Sequence, residues 1–227
     1  MTARPDAGRI DVNWLRRALL SVVQREAVDM RVSHEQAEAN RAHIVATAAR
    51  LFRERGFDGV GVAELMAAAG FTHGGFYKHF RSKADLMAEA SALGLSQTAA
   101  QAECMEPSEF VRDYVSQKHR DGRSDGSTLA ALSGDAARQS GDVRAGFATG
   151  IESILTALRA RSDMPENADR AAMIGVLAHS VGAIMLSRAC PDGSPLADEI
   201  LEVCRQEILG SLARGTREPP GARNQEG

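Results

Sequence analysis

Glycines, aromatic rings and hydrogen-bond donors are concentrated in the short stretch from Thr72 to Lys83. Residues 74 and 75 are both glycine, and glycine allows a backbone to approach a ligand closely. The stretch also carries phenol, ammonium and imidazole groups, which donate hydrogen bonds to phosphate oxygens. Singly, each histidine would be an ordinary surface residue. The joint spacing indicates a surface for a nucleic-acid backbone, formed by His73, Tyr77, Lys78, His79 and Lys83 with Phe76 and Phe80 as apolar anchors.

The residues before this stretch predict the helices that would position it. An apolar stripe over residues 44–52 predicts a scaffold helix that starts after Asn40 as N-cap and stops at a left-handed Gly56. A second short helix is predicted over 62–69, with Leu65 and Met66 facing inward and Gly70 ending it.

A third helix is predicted over 73–79, with Thr72 as its cap. Two short helices joined by a tight turn containing glycine are typical of a helix-turn-helix. Residues 82–85 then have the spacing of a capping box, and they predict a fourth helix that runs towards Leu95.

Charge is distributed unevenly along the chain. The 227 residues carry a formal net charge of −3, which argues against a protein that coats nucleic acid with its whole surface. Between Arg41 and Lys83, however, seven lysines and arginines face three acids. Arg50, Arg53 and Arg55, with Glu54 beside them, are interpreted as a solvated helix face rather than as a base-reading element.

The sequence RAHIVATAARLFRERGFDGVGVAELMAAAGFTHGGFYKHFRSKADLM resembles the DNA-binding domain of TetR-family regulators throughout. The resemblance implies that His73, Gly75 and Thr72 lie against base edges, and that Tyr77, His79 and Lys83 hold phosphates. Lys78 could do either. Val62 and Arg41 complete the candidate DNA-binding set, with His43 beside Arg41 as a further phosphate or minor-groove contact. Gly61 stands where the family usually has Ser or Thr, so a phosphate contact there would come from backbone amides.

Beyond the helix-turn-helix, the sequence predicts only further helices. They are expected over 108–119, 127–140, 142–161, 168–188 and 196–212, separated by Gly- and Pro-containing turns. The predicted fold is therefore all-α, with an N-terminal three-helix helix-turn-helix DNA-binding domain and a C-terminal helical effector-binding and dimerisation domain. The predicted bounds are 1–39 for an N-terminal extension, 40–85 and 86–214 for the two domains, and 215–227 for a disordered tail.

The N-terminal extension has an apolar stripe over residues 10–27 at helical spacing, after a disordered stretch over residues 1–9. Packing on the body or on a partner subunit is favoured over a membrane-surface role. Met30 opens a segment that is typical of a protein start, so the sequence leaves open whether the first 29 residues belong to the natural product.

The helical domain offers candidates for an effector site and for a dimer interface. A small molecule would sit between helices, lined by apolar side chains and a few polar groups; the candidate lining is Phe110, Tyr114, Phe147, Met173, Leu177 and His179, with His119 and Met185 as further candidates. For His179, a buried and satisfied core histidine is the favoured interpretation. Small residues on the same helix (Ala172, Gly175, Ala178, Gly182, Ala183) predict a close-packed homodimer seam with the last helix.

Other functional classes lack a supporting motif. Cys104, Cys190 and Cys204 show no CxxC spacing, which predicts neither disulfide framework nor metal site, and places the chain in the cytoplasm. Cys190 and Cys204 are interpreted as small buried hydrophobes, and a redox-sensing role falls first on Cys104. No apolar run is expected to reach membrane-spanning length, and no cofactor or catalytic fingerprint is found. The predicted function is therefore that of a repressor, which a small effector releases from a pseudo-palindromic operator. The alternatives are an enzyme and a partner-binding protein whose helix-turn-helix is vestigial.

Overall fold

The computed structural model describes residues 12–162 and 166–215, with side chains described for 34–162 and 170–215. All regular structure in these ranges is helical. The described residues form nine α-helices and one 3-10 helix: α1 Val12–Arg55, α2 Val62–Ala68, the 3-10 helix His73–Lys78, α3 Lys83–Glu103, α4 Pro107–Tyr114, α5 Gln117–Asp121, α6 Thr128–Ala136, α7 Gly141–Ala160, α8 Glu166–Ala189 and α9 Pro195–Gly215. The all-α prediction is confirmed.

Two compact units divide the chain, Met1–His43 and Ile44–Gly227. In the first unit the backbone is helical from Val12 onward. The predicted helix start at Asn40 is therefore wrong: Asn40 lies inside α1, and its side-chain oxygen accepts a hydrogen bond from Gln36 at 2.9 Å instead of capping. The apolar stripe predicted over residues 10–27, the disorder predicted over 1–9 and residues 216–227 of the predicted tail lie outside the described side chains. Gly215, the first residue of the tail predicted over 215–227, is instead the last residue of α9.

In the second unit, the final turns of α1 supply one wall of a closed aromatic core. Phe52 and Phe57 are fully buried and pack edge to face, with ring centroids 5.2 Å apart. Gly56 joins them with φ +75°, which confirms the predicted left-handed stop. Leu65 and Met66 of α2 fill the same core, as predicted from their spacing.

The later helices agree with the predictions in type and differ at several ends. The predicted helix 108–119 is two helices, because the chain leaves helical geometry at Val115 and Ser116 caps α5 by accepting from the His119 amide at 3.1 Å. The helix predicted over 127–140 ends at Ala136. Helix α3, predicted to run towards Leu95, continues past it to Glu103. The remaining three differ from prediction by only a few residues at either end.

Two helix pairs organise the helical domain, α3 against α7 and α8 against α9. The first pair packs closely because residue 150 of α7 is glycine: a Cβ at this position would collide with the Leu95 side chain of α3. By length and composition alone, Arg170–Ala189 could cross a membrane, so the prediction that no run reaches that length is wrong. In the fold this segment packs against α9, α7 and α6.

Candidate nucleic-acid interface and helical-domain cavity

The turn after α2 is closed by backbone hydrogen bonds. Ala69 is the C-cap of the helix, and Gly70 follows with φ +80°. The Phe71 amide donates to the Met66 carbonyl at 2.8 Å, and the Gly70 amide donates to Ala67 at 3.0 Å, which satisfies carbonyls that the helix end would leave open. At the other end, Gly61 caps α2 in an extended conformation without a side-chain bond. The predicted role of Gly70 is confirmed.

The second element of the motif is a 3-10 helix, His73–Lys78, rather than the predicted α-helix. Thr72 occupies the N-cap position in extended geometry, but its hydroxyl makes no capping hydrogen bond. The Gly75 amide donates to the Thr72 carbonyl at 2.9 Å, one residue short of an α-helical bond. Consecutive glycines explain the shorter element, because glycine loses more backbone entropy in a helix than other residues do.

Anchors and donors separate to opposite sides of this 3-10 helix. Phe76 and Phe80 are 1% and 2% exposed, with ring centroids 5.5 Å apart. Tyr77 is 70% exposed, and its ring is perpendicular to that of Phe76 at a centroid distance of 5.2 Å. The buried pair thus fixes the segment while the phenol hydroxyl extends outward, where it could donate to a phosphate.

The remaining predicted DNA contacts are distributed unequally around this surface. Thr72, His73 and Lys78 are exposed. Val62, Gly75 and His79 are half-buried, and Val62 packs against the core. At Gly74 an added Cβ would meet nothing within 4 Å, so the backbone there is open to close approach. Arg41 and His43 lie in the first unit, Arg41 half-buried and His43 exposed.

Lys83 has a structural partner that its sequence position did not reveal. Its Nζ donates to the Phe57 carbonyl at 2.5 Å and so ties the start of α3 to the α1–α2 loop. An ammonium has three donors, so this bond does not preclude a phosphate contact. Beside it, Ser82 Oγ accepts from the Asp85 amide at 3.1 Å as predicted, whereas the Asp85 carboxylate receives the Arg81 amide, not that of Ser82.

The arginines of α1 differ from one another. Arg50 is exposed, with Nη1 3.7 Å from Glu54, and Arg55 forms an exposed ion pair with Glu64 of α2. Arg53 instead turns inward: its Nε donates to the Ser124 carbonyl at 2.7 Å. Burial lowers the pKa of Arg53, against the opposing charge of Asp125. The prediction of one solvated arginine face is therefore wrong for Arg53.

A cavity of about 500 Å³ lies in the helical domain, bordered by α3, α4, α5 and the loop before α6. Of the predicted effector residues, Phe110 and Tyr114 line it, together with His119. Sequence reasoning missed the polar lining from α3 and from the loop, which includes Gln97, Thr98, Gln101, Asp125 and Ser127. These residues belong to separated segments, so no local pattern marks them.

The other effector candidates lie elsewhere. Phe147, Met173 and Leu177 are buried in the core and do not border this cavity. His179 is exposed and borders a groove between α8 and α9, so the interpretation of His179 as a buried core histidine is wrong. Met185 is also exposed, at 40%.

A hydrogen-bonded triad closes one wall of the cavity. Tyr114 Oη donates to Ser127 Oγ at 2.7 Å, and the Ser127 amide donates to His119 Nε2 at 2.8 Å. Because Nε2 accepts, the neutral ring carries its proton on Nδ1, which donates to the Tyr114 carbonyl at 2.6 Å. Burial lowers the pKa of His119 and raises that of Tyr114, so both side chains are neutral near pH 7.

Neither a disulfide nor a metal cluster is formed by the described side chains. Cys104 is exposed. Cys190 and Cys204 are half-buried rather than buried, which corrects their interpretation as core residues, and burial raises the pKa of the Cys204 thiol.

Comparisons with known proteins converge on one description. Residues 44–90 match the family model for bacterial regulatory proteins of the tetR family. The HTH-type transcriptional regulator AcrR of Shigella flexneri is 39% identical over 59 residues, 26% of this chain and 27% of AcrR. The HTH-type transcriptional repressor NemR of Escherichia coli K12 is 46% identical over 43 residues, 19% of this chain and 22% of NemR. The matched region thus spans about a quarter of these relatives' length.

Solved structures extend the similarity in fold to the helical domain. Reduced E. coli NemR superposes with a TM-score of 0.60 at 20% identity, covering 75% of this chain and 95% of that structure. A TetR-family regulator from Cytophaga hutchinsonii superposes with a TM-score of 0.62 at 18% identity, covering 81% and 98%. At these identities the likeness concerns the fold alone.

Proposed function

We propose that this chain, which belongs to the TetR family of transcriptional regulators, is a cytoplasmic homodimeric repressor. It binds a pseudo-palindromic operator through the 3-10 helix His73–Lys78 and leaves the operator when a small molecule occupies the helical domain. Binding and release require no catalytic chemistry and no cofactor. The alternatives are an enzyme and a partner-binding protein with a vestigial helix-turn-helix.

The observation that carries DNA binding is the arrangement of the 3-10 helix. Buried Phe76 and Phe80 hold a segment whose outer side carries Tyr77, Lys78 and His73. Groups that bind phosphate must project from a rigid support, because contacts to the backbone set the orientation of a protein on the duplex. The open backbone at Gly74 permits close approach to base edges in the major groove.

The last two helices support the homodimer. Ile174 and Leu186 of α8 are 45% and 60% exposed, and Leu196 and Val203 of α9 are 55% and 53% exposed. Gly175 and Ala178 share the exposed side of α8, where small residues allow a second helix to approach closely. Apolar surface of this kind is typical of a symmetric subunit interface. We call the 3-10 helix His73–Lys78 the recognition segment. A two-fold axis between the last two helices of each protomer would place the two recognition segments against successive half-sites.

Effector release rests on the cavity beside Phe110 and Tyr114. Its volume of about 500 Å³ suits a small organic molecule. A ligand that binds only one arrangement of the helices shifts the population towards that arrangement. If the half-site spacing in that arrangement differs from the operator spacing, occupation lowers the affinity for DNA.

Selection from a pool of random DNA duplexes tests this function and identifies the operator sequence in the same experiment. We expect the full-length protein to enrich an inverted repeat with half-site centres about one helical turn apart. Y77A should lose the enrichment, whereas R144Q, which removes an exposed cation of α7, should retain it. Equal enrichment by Y77A and the parent, or no enrichment by either, would contradict the proposal. Placing the selected site over a reporter promoter then separates repression from activation.

A further inference from the structure

The loop over residues 122–127 belongs to two surfaces at once. Gly122, Asp125, Gly126 and Ser127 line the cavity. The carbonyl of Ser124, in the middle of the same loop, accepts the hydrogen bond from Arg53 of the scaffold helix. A single short loop therefore connects the proposed effector cavity to the DNA-binding domain.

Arg53 reaches this loop through a gap that a glycine leaves in α3. A Cβ on Gly94 would overlap Thr128 Oγ1 and lie 3.2 Å from Arg53 Nη1. Gly94 also lines the cavity. The guanidinium thus lies at the point where α1, α3 and the start of α6 meet, directly behind the cavity wall.

Helix α6 provides a second link in parallel. Ser127 caps its start and accepts from Tyr114 in the cavity wall. Near its other end, the Asp135 carboxylate accepts from the Phe57 amide at 3.0 Å. A Cβ on Gly56 would lie only 2.6 Å from the same carboxylate, so this contact is tight. Nine residues of α-helix extend about 13 Å, and α6 joins the cavity to the α1–α2 loop over that distance.

On the DNA-binding side, the contacts continue towards the recognition segment. Phe52, next to Arg53, packs on Phe57, and Arg55 pairs with Glu64 of α2. We infer that Arg53 is a positioning residue that couples the occupancy of the cavity to the orientation of the helix-turn-helix. A molecule that displaces the loop 122–127 strains or breaks the hydrogen bond between Arg53 and the Ser124 carbonyl. The resulting shift of α1 then changes the position of α2. By linkage, DNA binding changes the affinity of the cavity for its ligand by the same factor by which that ligand changes the affinity for DNA. This inference rests on the proposed function for its DNA readout.

A cycle of substitutions tests the coupling without an identified effector. G126A stands in for an occupied cavity, because the added methyl group would lie 2.9 Å from both Arg188 Nη2 and the Gly122 carbonyl, and 3.0 Å from His119 Cδ2, so the loop and its neighbours must shift. R53M removes the link. G146A adds a methyl group where nothing lies within 4 Å, and R50M removes an exposed cation from the same helix as Arg53. R53K, which keeps the charge but lacks Nε, replaces R53M if that variant does not fold.

The first readout is hydrogen exchange of residues 57–71 in the free full-length protein. G126A should change protection there by about threefold or more when Arg53 is present, and by much less in the R53M background. R50M/G126A should behave like G126A alone, and G146A should have no effect in either background. Additive effects of G126A and R53M would overturn the inference.

The second readout is the Kd for a duplex enriched in the selection above. G126A should change this Kd when Arg53 is present and by much less in the R53M background, and G146A should not change it in either background. The two readouts separate the two ideas. If the free protein shows non-additive exchange but no variant or parent binds DNA, the coupling stands and the repressor function fails. If DNA binds and the substitutions are additive in both readouts, the function stands and the role of Arg53 fails.

Discussion

The recognition segment and the cavity wall both combine aromatic and polar side chains, but they direct them differently. At the 3-10 helix, Phe76 is buried and Tyr77 next to it is 70% exposed, so the polar group is available to a partner outside the chain. At the cavity wall, Tyr114 is 5% exposed and its hydroxyl bonds to Ser127. The first arrangement presents donors, and the second uses its donors to fix its own shape. An effector would therefore depend on exposed lining groups such as Gln97 and Gln101 for polar contacts.

The largest expected effect distinguishes the buried anchor Phe80 from the exposed Tyr77, which is proposed to contact DNA. F80A should lower the free energy of unfolding by about 3–5 kcal/mol, because it removes a fully buried ring from a closed core. Y77A should change it by less than about 0.5 kcal/mol, since the ring is mostly exposed, and yet abolish operator binding. Urea denaturation measures both. Similar destabilisation by the two variants would contradict the division between anchor and contact.

A second pair of substitutions isolates the contact between the α1–α2 loop and α6. Gly56 and Gly70 both have positive φ, so alanine at either position costs about 1–2 kcal/mol in backbone strain. Only at Gly56 does the added methyl group meet a neighbour, the Asp135 carboxylate that accepts from Phe57. G56A should therefore destabilise by roughly 1 kcal/mol more than G70A in thermal or urea unfolding. Equal losses of stability in G56A and G70A would mean that the contact between Asp135 and the α1–α2 loop contributes nothing to stability.

The triad in the cavity wall predicts that the stability of the protein depends on pH. Burial, and to a smaller extent the nearby Arg188, lower the pKa of His119 below its ordinary 6.5, whereas the Tyr114 carbonyl and Asp113 act in the opposite sense. The unfolded chain therefore binds this proton more tightly than the folded chain. The stabilisation is fully present above about pH 6.5 and decreases as pH falls towards the lowered folded pKa.

Unfolding free energies measured from pH 7.5 to pH 5 should show this loss in the parent and a weaker loss in H119Q. H179Q removes an exposed histidine and should follow the parent. If H119Q and the parent have parallel pH profiles, His119 is not held neutral by the fold.

The smallest effect is expected at the exposed pair of Arg55 and Glu64. Each side chain is 48% exposed, and solvent screening limits such pairs to less than about 1 kcal/mol. A double-mutant cycle with R55Q and E64Q should therefore give a small coupling in stability that decreases with salt. A coupling above about 2 kcal/mol would show that the pair acts as more than a surface contact between α1 and α2.

The sequence predicted the helix-turn-helix well because its determinants are local. Gly56, Gly70 and the buried positions of α2 follow from spacing within a few residues of chain. The exception, the 3-10 geometry of residues 73–78, arises where two glycines weaken α-helical bonding. The predicted helix start at Asn40 was wrong because a residue that favours the N-cap position does not by itself interrupt a helix that runs through it.

The cavity and the Arg53 link could not be predicted in the same way. Helical spacing marks Phe147 and Met173 as inward-facing, but it does not distinguish core from cavity lining. Helix α8 is apolar on nearly all sides, so its pattern could not show that His179 lies on the exposed side. Arg53 bonds to a carbonyl 71 positions away, and no local charge pattern encodes such a contact.

The salt dependence of operator affinity tests the central claim most directly. Fluorescence anisotropy would measure Kd for a selected duplex across salt concentrations for the parent, K78Q and R144Q. If Lys78 of each protomer in a dimer contacts a phosphate, K78Q should reduce the slope of log K against log salt by about 1.8 in magnitude, while R144Q runs parallel to the parent. A K78Q slope parallel to the parent, or equal reductions in both variants, would contradict the recognition segment as the DNA-binding surface.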